Sequence, residues 1–397
     1  MIINEDAYIL LHCLIRGMPE GFGHHIPNSV IMHSLSGRNV GKRVILARGT
    51  ALSTDSGLGR AHHALAGTLR ASLADGWELT RTIEHEAPSS AVGRILKRMR
   101  HASSVSSGSN ASEADLLHIT DQEQAHLVPS DSKIPVVVTV HDMFHLEPKV
   151  IQGVPIGDRS PGIFRRMDLS RLRKGLARAD LIICISEMTQ SEVNRVFPGK
   201  PTALVRHKID VDHWDPSSNP VPIDAISEVH DPSKCLLITV GSDDPRKRLG
   251  FIDEVESSLP SEISDDIEIL HIGSRTAMDE DQIIAAYQSA EALLFPSVSE
   301  GFGYPPFEAM ASGCPVLAAD FPAHNEVIPD RCLLDSDVSS WVDAIVEAHS
   351  KWKAREGGPR SPDQSLIDHI REELSPQAHG DALSQAYASA LSVREVV

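Results

Sequence analysis

The stretch ALLFPSVSEGFGYPPFEAMASGCPVLAADFPAHNE, residues 292–326, decides the fold. Its apolar run Ala292–Pro296 predicts a buried parallel strand. A glycine-rich loop follows at Gly301-Phe302-Gly303. Pro305 and Pro306 then open a helix, predicted over Phe307–Ser312, because proline at a first helical turn forfeits only an N–H that has no partner there. A second short strand is expected over Pro315–Ala319. This order places Glu300 at the C-terminal edge of a parallel sheet and Glu308 in the first turns of the next helix. That edge is where open α/β sheets bind ligands. Glycines there allow backbone N–H groups to approach a sugar or phosphate, and a carboxylate can accept from both hydroxyls of a diol.

Two glutamates eight residues apart, with EGFG in front and EAMASGCPV behind, resemble the donor-sugar motif of retaining glycosyltransferases of family 4. The resemblance implies an α/β protein of the GT-B fold, two doubly wound Rossmann-like domains facing across a cleft. It implies transfer of a hexose from a GDP- or UDP-sugar to an acceptor hydroxyl, in polysaccharide or glycoconjugate synthesis, with no metal or other cofactor. The ribose diol falls to Glu308. The donor sugar falls to Glu300 with the backbone of Gly301, Phe302 and Gly303. Two alternatives stay open: a sugar-nucleotide epimerase of the same fold, and a non-catalytic sugar-nucleotide-binding partner.

Composition sets the outer bounds. At 397 residues the chain accommodates two domains. It contains no run of 18 apolar residues, the length of a membrane span. The start, MIINEDAYILLHCLIRGM, lacks the basic n-region and cleavage site of a secretory signal. Five scattered cysteines, Cys13, Cys184, Cys235, Cys314 and Cys332, read as free thiols of a reducing cytoplasm. The net charge of -18 is unevenly spread. Residues 1–205 carry 23 basic against 20 acidic side chains, and residues 206–397 carry 14 against 35. The acidic half argues against a nucleic-acid partner. The basic half suits an anionic acceptor or membrane.

From Arg43 onward, short apolar runs alternate with helical patterns, the signature of βα units. VILAR (44–48), PVVVTV (135–140), LIICIS (181–186) and ALVR (203–206) predict one parallel sheet; CLLITV (235–240), IEILHI (267–272), ALLFP (292–296) and PVLAA (315–319) predict another. HWDPSSNPVPIDA (213–225) reads as the linker, and SSVSSGSNAS (103–112) as a mobile loop. The expected organisation is an extension over 1–40, an acceptor-side domain over 41–205, a nucleotide-sugar domain over 206–375, and a C-terminal helix over 376–397 that crosses back to the first domain.

Other segments supply the remaining site residues. GSDDPRKRLG (241–250) resembles the family's diphosphate turn, with Arg246 and Lys247 as its cations; Ser242 stands where many members have arginine. Such cations stabilise the charge that grows on a departing diphosphate. TVHDMFHLEP (139–148) resembles the family's His-Asp turn, so that His141 faces the donor and Asp142 holds the turn. TDSGLGRAHHAL (54–65) resembles its first glycine loop, with Gly57, Gly59 and Arg60 at the phosphate and acceptor. His207-Lys208-Ile209-Asp210 departs from the family's usual Asn-Gly turn and carries no assigned role. The family's additional βα step before Glu300 is missing, which leaves the base and the hexose open. His141, Glu300 and Lys247 are the candidate catalytic residues.

AVGRILKRMRHA (91–102) has the pattern of an interfacial helix, apolar on one face and basic around it. RRMDLSRLRKGLARAD (165–180), similarly basic, reads as a surface helix packed on its own sheet. The partners implied are a nucleotide sugar and a glycan or lipid-linked acceptor, with peripheral contact at the inner membrane surface through 91–102.

Overall fold

The structure is a computed structural model that describes residues 41–53, 56–85, 101–108, 110 and 114–395. Its first sheet contains β1 (Lys42–Thr50), β2 (Trp77–His85), β3 (Leu116–Ile119), β4 (Val136–Val140), β7 (Leu181–Cys184) and β8 (Thr202–Leu204). They lie in the order β2-β1-β3-β4-β7-β8, and every pairing is parallel. A small antiparallel hairpin, β5 (Lys149–Ile151) with β6 (Val154–Ile156), follows β4. The second sheet contains β9 (Cys235–Val240), β10 (Ile267–Ile272), β11 (Ala292–Phe295), β12 (Val316–Ala319) and β13 (Leu333–Leu334). Its order is β10-β9-β11-β12-β13, again all parallel.

The inner strands of each sheet are buried on both faces, which explains why they are largely apolar rather than alternating. Successive side chains of a strand point to opposite faces. Accordingly Leu236 and Ile238 of β9 join one core with Leu293 and Phe295, while Cys235 and Leu237 join another with Ala292 and Leu294. The first sheet divides the same way: Ile45 and Ala47 face one layer, Val44 and Leu46 the other. The last helix, Pro376–Glu395, presents Leu383, Ala386, Tyr387 and Ala390 at helical spacing to the layer that holds Val44, Leu46 and Leu116. It thus covers the first sheet although it follows the second in sequence.

Several segments differ from their sequence reading. Residues 101–108 are helical and Val105 is fully buried, so the serine-rich stretch is not a loop there. One apolar residue on the inward face outweighs the weak helix propensity of serine and glycine. The Pro/Ser-rich stretch 213–225 does lie between the two sheets, and it is packed: Trp214 is buried, and the Gln288 amide donates to the carbonyls of Trp214 and Asn219 at 3.0 and 2.9 Å. The predicted helix over Phe307–Ser312 spans Tyr304–Ala311, because Gly303 at φ 96° caps it. Residues 1–40 lie outside the described residues, as does the segment 91–102 apart from its last two residues. Cys184, Cys235, Cys314 and Cys332 are buried free thiols.

Behind the first sheet, His62, His118, His141, His207 and His379 line a cavity of about 20 Å³, room for roughly one water. His118 is held between the Tyr387 hydroxyl and the Thr139 hydroxyl, each at 2.7 Å. Burial, followed by neighbouring positive charge, pushes His62 down to about 4 and His118 down to about 3. Burial also pushes His379 down to about 4. The unfolded chain, with histidines near 6.5, therefore binds more protons than the folded one at mildly acid pH. Stability from these neutral histidines is complete above about pH 6.5 and falls as the pH drops toward 4. Thermal melts between pH 7 and 4 should show the midpoint falling steadily, and a flat profile would contradict this accounting.

Candidate active site

Both sheets reverse direction of winding at the strand next to one edge: β1 has β2 on one side and β3 on the other, and β9 has β10 and β11. The crevice at such a point lies at the C-terminal ends of the strands. The loops leaving β1, β4, β9 and β11 there line one cleft of about 1240 Å³. It is lined by Gly57, Arg60, His141, Arg246, Lys247, Glu300, Gly301, Phe302, Gly303 and Glu308, among others. Gly59 does not line it. A Cβ at Gly59 would overlap the Ser53 carbonyl oxygen, so this glycine serves close packing of its loop rather than approach to a ligand.

On the second-sheet wall, Asp244 caps the short turn Pro245–Lys247 by accepting from the Arg246 N–H at 3.0 Å. This aims both cations at Glu300. Arg246 Nη1 donates to Glu300 Oε2 at 2.7 Å, and Lys247 Nζ donates to Oε1 at 2.5 Å. Ser297 Oγ adds a third bond to Oε1 at 2.7 Å. Burial alone would raise the Glu300 carboxyl, but the charges of Lys247 and Arg246 outweigh it and hold it down to about 2. Glu308, 4% exposed, accepts from the Tyr287 hydroxyl at 3.2 Å and from the Arg60 guanidinium, which reaches it from the first sheet's side.

The opposite wall is built on β4. His141 follows that strand; its backbone N–H donates to Gln122 Oε1 at 2.9 Å and its Nε2 lies 2.9 Å from the Thr120 carbonyl. A carbonyl only accepts, so Nε2 carries the proton and Nδ1 is the acceptor. Asp142 accepts from the Phe144 N–H at 3.0 Å and thereby holds the turn. The His141 ring stacks on His207 at 5.3 Å, and His207 stacks on Tyr304 at 5.5 Å with 11° between planes. Arg60 lies over the Tyr304 ring at 4.6 Å. A Cβ at Gly301 would overlap the His141 carbonyl oxygen, so only glycine lets the two walls meet there.

Sequence reasoning missed Tyr287, Ser297, His207, Tyr304 and Gln122. His207 had a signal, its place in the departure from Asn-Gly. Tyr287 had none, since it reaches Glu308 from another helix 21 residues away. Ser242 also lines the cleft. Elsewhere Asp212 pairs with Arg371, and Asp337 caps the helix Val338–Ala354.

Residues 220–351 match the family model described as Glycosyl transferases group 1, and residues 65–213 match Glycosyltransferase Family 4. The chain belongs to glycosyltransferase family 4. It is similar to the O-antigen chain mannosyltransferase RfbU of Salmonella typhimurium, 41% identical over 86 residues that cover 21% of this chain and 23% of that one. It is also similar to O-antigen chain mannosyltransferase B of Escherichia coli, 25% identical over 210 residues, 44% of this chain and 51% of that one. The matched stretches thus span about a quarter to a half of these relatives' own length. Anabaena Alr3699/HepE, solved with UDP-glucose, shares the fold with a TM-score of 0.60 at 14% identity, over 88% of this chain and 99% of that one. The two facing sheets are the GT-B arrangement.

In this family 4 chain the Glu300 cluster should also be a stability element. Lys247→Met leaves Arg246 and Ser297 to compensate Glu300, at a cost of about 1–3 kcal/mol at pH 7 by urea unfolding. The pairing contributes fully above the unfolded carboxyl value of 4.5 and is lost as pH falls toward about 2. The gap between variant and parent should therefore narrow below pH 4.5; a constant gap would mean that charge is not its origin.

Proposed function

We propose that the protein transfers a hexose from a nucleotide diphosphate sugar to an acceptor hydroxyl, with retention of anomeric configuration, during synthesis of a surface polysaccharide. Mannose is the first candidate, because RfbU and O-antigen chain mannosyltransferase B both carry that activity in their names. The observation that carries the reading is the convergence of Glu300, Glu308, Arg246, Lys247 and His141 on one cleft.

Roles follow from chemistry. Glu308 accepts from the ribose diol. Arg246 and Lys247 neutralise the diphosphate, so the site needs no metal to stabilise the leaving group. Glu300 and the backbone of Gly301–Gly303 hold the sugar, with His141 opposite. Glu300 is a poor covalent nucleophile, since two cations and a hydroxyl already occupy its oxygens. A front-face reaction fits better: the bond from C1 to the phosphate oxygen breaks, the acceptor oxygen bonds C1 on the same face, and its proton passes to the departing phosphate. Closure of the two walls about a bound donor would exclude water and limit hydrolysis. Incubation with labelled GDP-mannose and a panel of UDP- and GDP-sugars should give slow donor hydrolysis without acceptor. Glu308→Ala and Lys247→Ala should each weaken nucleoside diphosphate binding by about 1–3 kcal/mol in calorimetry. Unchanged affinity in both variants would remove the site assignment.

The acceptor side offers a route to a lipid-linked substrate. Helix Ile163–Arg178 buries Leu172, Gly175 and Leu176, but Ile163, Phe164 and Met167 are 72, 85 and 52% exposed. Arg166, Arg171 and Lys174 are exposed beside them. Apolar tips flanked by exposed cations suit an anionic bilayer. No helix among the described residues is long and apolar enough to cross a membrane, so this contact is peripheral. Co-sedimentation should be strong with phosphatidylglycerol vesicles and weak with phosphatidylcholine ones. The pair Ile163→Ser with Phe164→Ser should cut partitioning about tenfold. Equal binding of parent and variant would sink this contact.

A further inference from the structure

Both carboxylates of the cleft are already neutralised before any ligand enters, and they are neutralised differently. Glu300 takes its cations from its own wall. Glu308 takes Arg60 from the opposite one, on the helix Gly57–Arg70. The Glu308 side chain is 6% exposed and that of Arg60 is 39% exposed. Glu308 is therefore fixed and buried, while Arg60 is the long, half-free member of the pair. Its guanidinium also rests on Tyr304, which stacks on His207. The other Glu308 oxygen accepts from Tyr287.

A buried carboxylate without a compensating cation is strongly unfavourable, and Arg60 is the cation that compensates Glu308. A ribose diol is neutral. It can hydrogen-bond Glu308, but it competes with Arg60 for the same oxygen and returns no charge to the displaced cation. A diphosphate does return it, and Arg246 and Lys247 are already shared with Glu300.

Resting on the reading that Glu308 receives the ribose, we propose that Arg60 is an exchange latch that determines donor specificity. It holds Glu308 while the cleft is empty and transfers to the diphosphate when a nucleotide sugar enters. A nucleoside alone must break the pair without offering an anion, so the site rejects it. The latch thus couples recognition of the diol to recognition of the diphosphate.

Calorimetry with uridine, guanosine, UDP and GDP tests this, using parent protein, Arg60→Gln, Glu308→Gln and the double variant. Arg60→Gln should bind the matching nucleoside about three- to tenfold tighter and its diphosphate about tenfold weaker. A merely structural Arg60 would move both in one direction, and that result, or no change, overturns the latch. The gain in nucleoside affinity should vanish in the double variant. The two readings fail separately. If Glu308→Gln binds both ligand types like the parent, or none of the four ligands binds any protein, the ribose assignment falls and the latch with it. If Glu308→Gln weakens both but Arg60→Gln shifts them together, only the latch falls.

Discussion

Compensation of two buried carboxylates is the constraint on which the cleft depends. Glu300 and Glu308 are 5 and 4% exposed, yet each lines the cleft rather than a core. A carboxylate that leaves water must recover its hydration through hydrogen bonds and opposite charge. The loop Gly241–Lys247 and the helix Gly57–Arg70 are arranged to supply that charge. Asp244 turns Arg246 inward, and Ser56, capping the other helix by accepting from the Gly59 N–H, sets its first turn so that Arg60 projects across. The glycines follow from the same demand. Gly301 allows the loop that carries Glu300 to touch the His141 backbone, and Gly303 at φ 96° turns the chain into the helix that carries Glu308.

The sheets deliver these groups by topology. In both, the chain winds outward in each direction from the strand next to one edge, so loops from neighbouring strands diverge and leave a crevice. Residues distant in sequence, such as Arg60 and Glu308 at 248 positions apart, meet there. The terminal helix ties the arrangement together. It packs Tyr387 under the first sheet against Trp77 and His118, and Arg394 at its end bonds the Ile134 carbonyl and Asp180. Its position also helps to bury His118.

Much of this was legible in the amino-acid order, and the limits are physical. Strands buried on both faces, such as Val136–Val140 and Cys235–Val240, announce themselves as unbroken apolar runs. The edge strand Trp77–His85 does not, because it is exposed over much of its length and mixes polar with apolar residues. Leu116–Ile119 is short and interrupted by His118, whose burial is tolerable only because Tyr387 and Thr139 satisfy it, partners no local pattern discloses. Eight-residue spacing exposed Glu300 and Glu308, and local basicity exposed Arg246 and Lys247. Which cation belongs to which acid was not readable, because Arg60 reaches Glu308 only through the facing of two sheets. The stack of His141, His207 and Tyr304 was hidden for the same reason, since its three rings come from three separate segments.

The pairing pattern also distributes chemical roles. A carboxyl held down to about 2 by two cations is a weak base and a shielded nucleophile, so Glu300 suits an anchor. The proton on His141 Nε2 is committed to the Thr120 carbonyl, which fixes the ring and leaves it no strong donor for the cleft. Asp142 is tied into its own turn. The groups nearest the reacting centre are thus all held in place by the protein. In the proposed front-face reaction the departing diphosphate receives the acceptor's proton, because that group gains negative charge as the bond to C1 breaks. In such a site the protein's contribution is preorganised charge and the exclusion of water, supplied by facing walls whose own ion pairs already hold the geometry before substrate arrives.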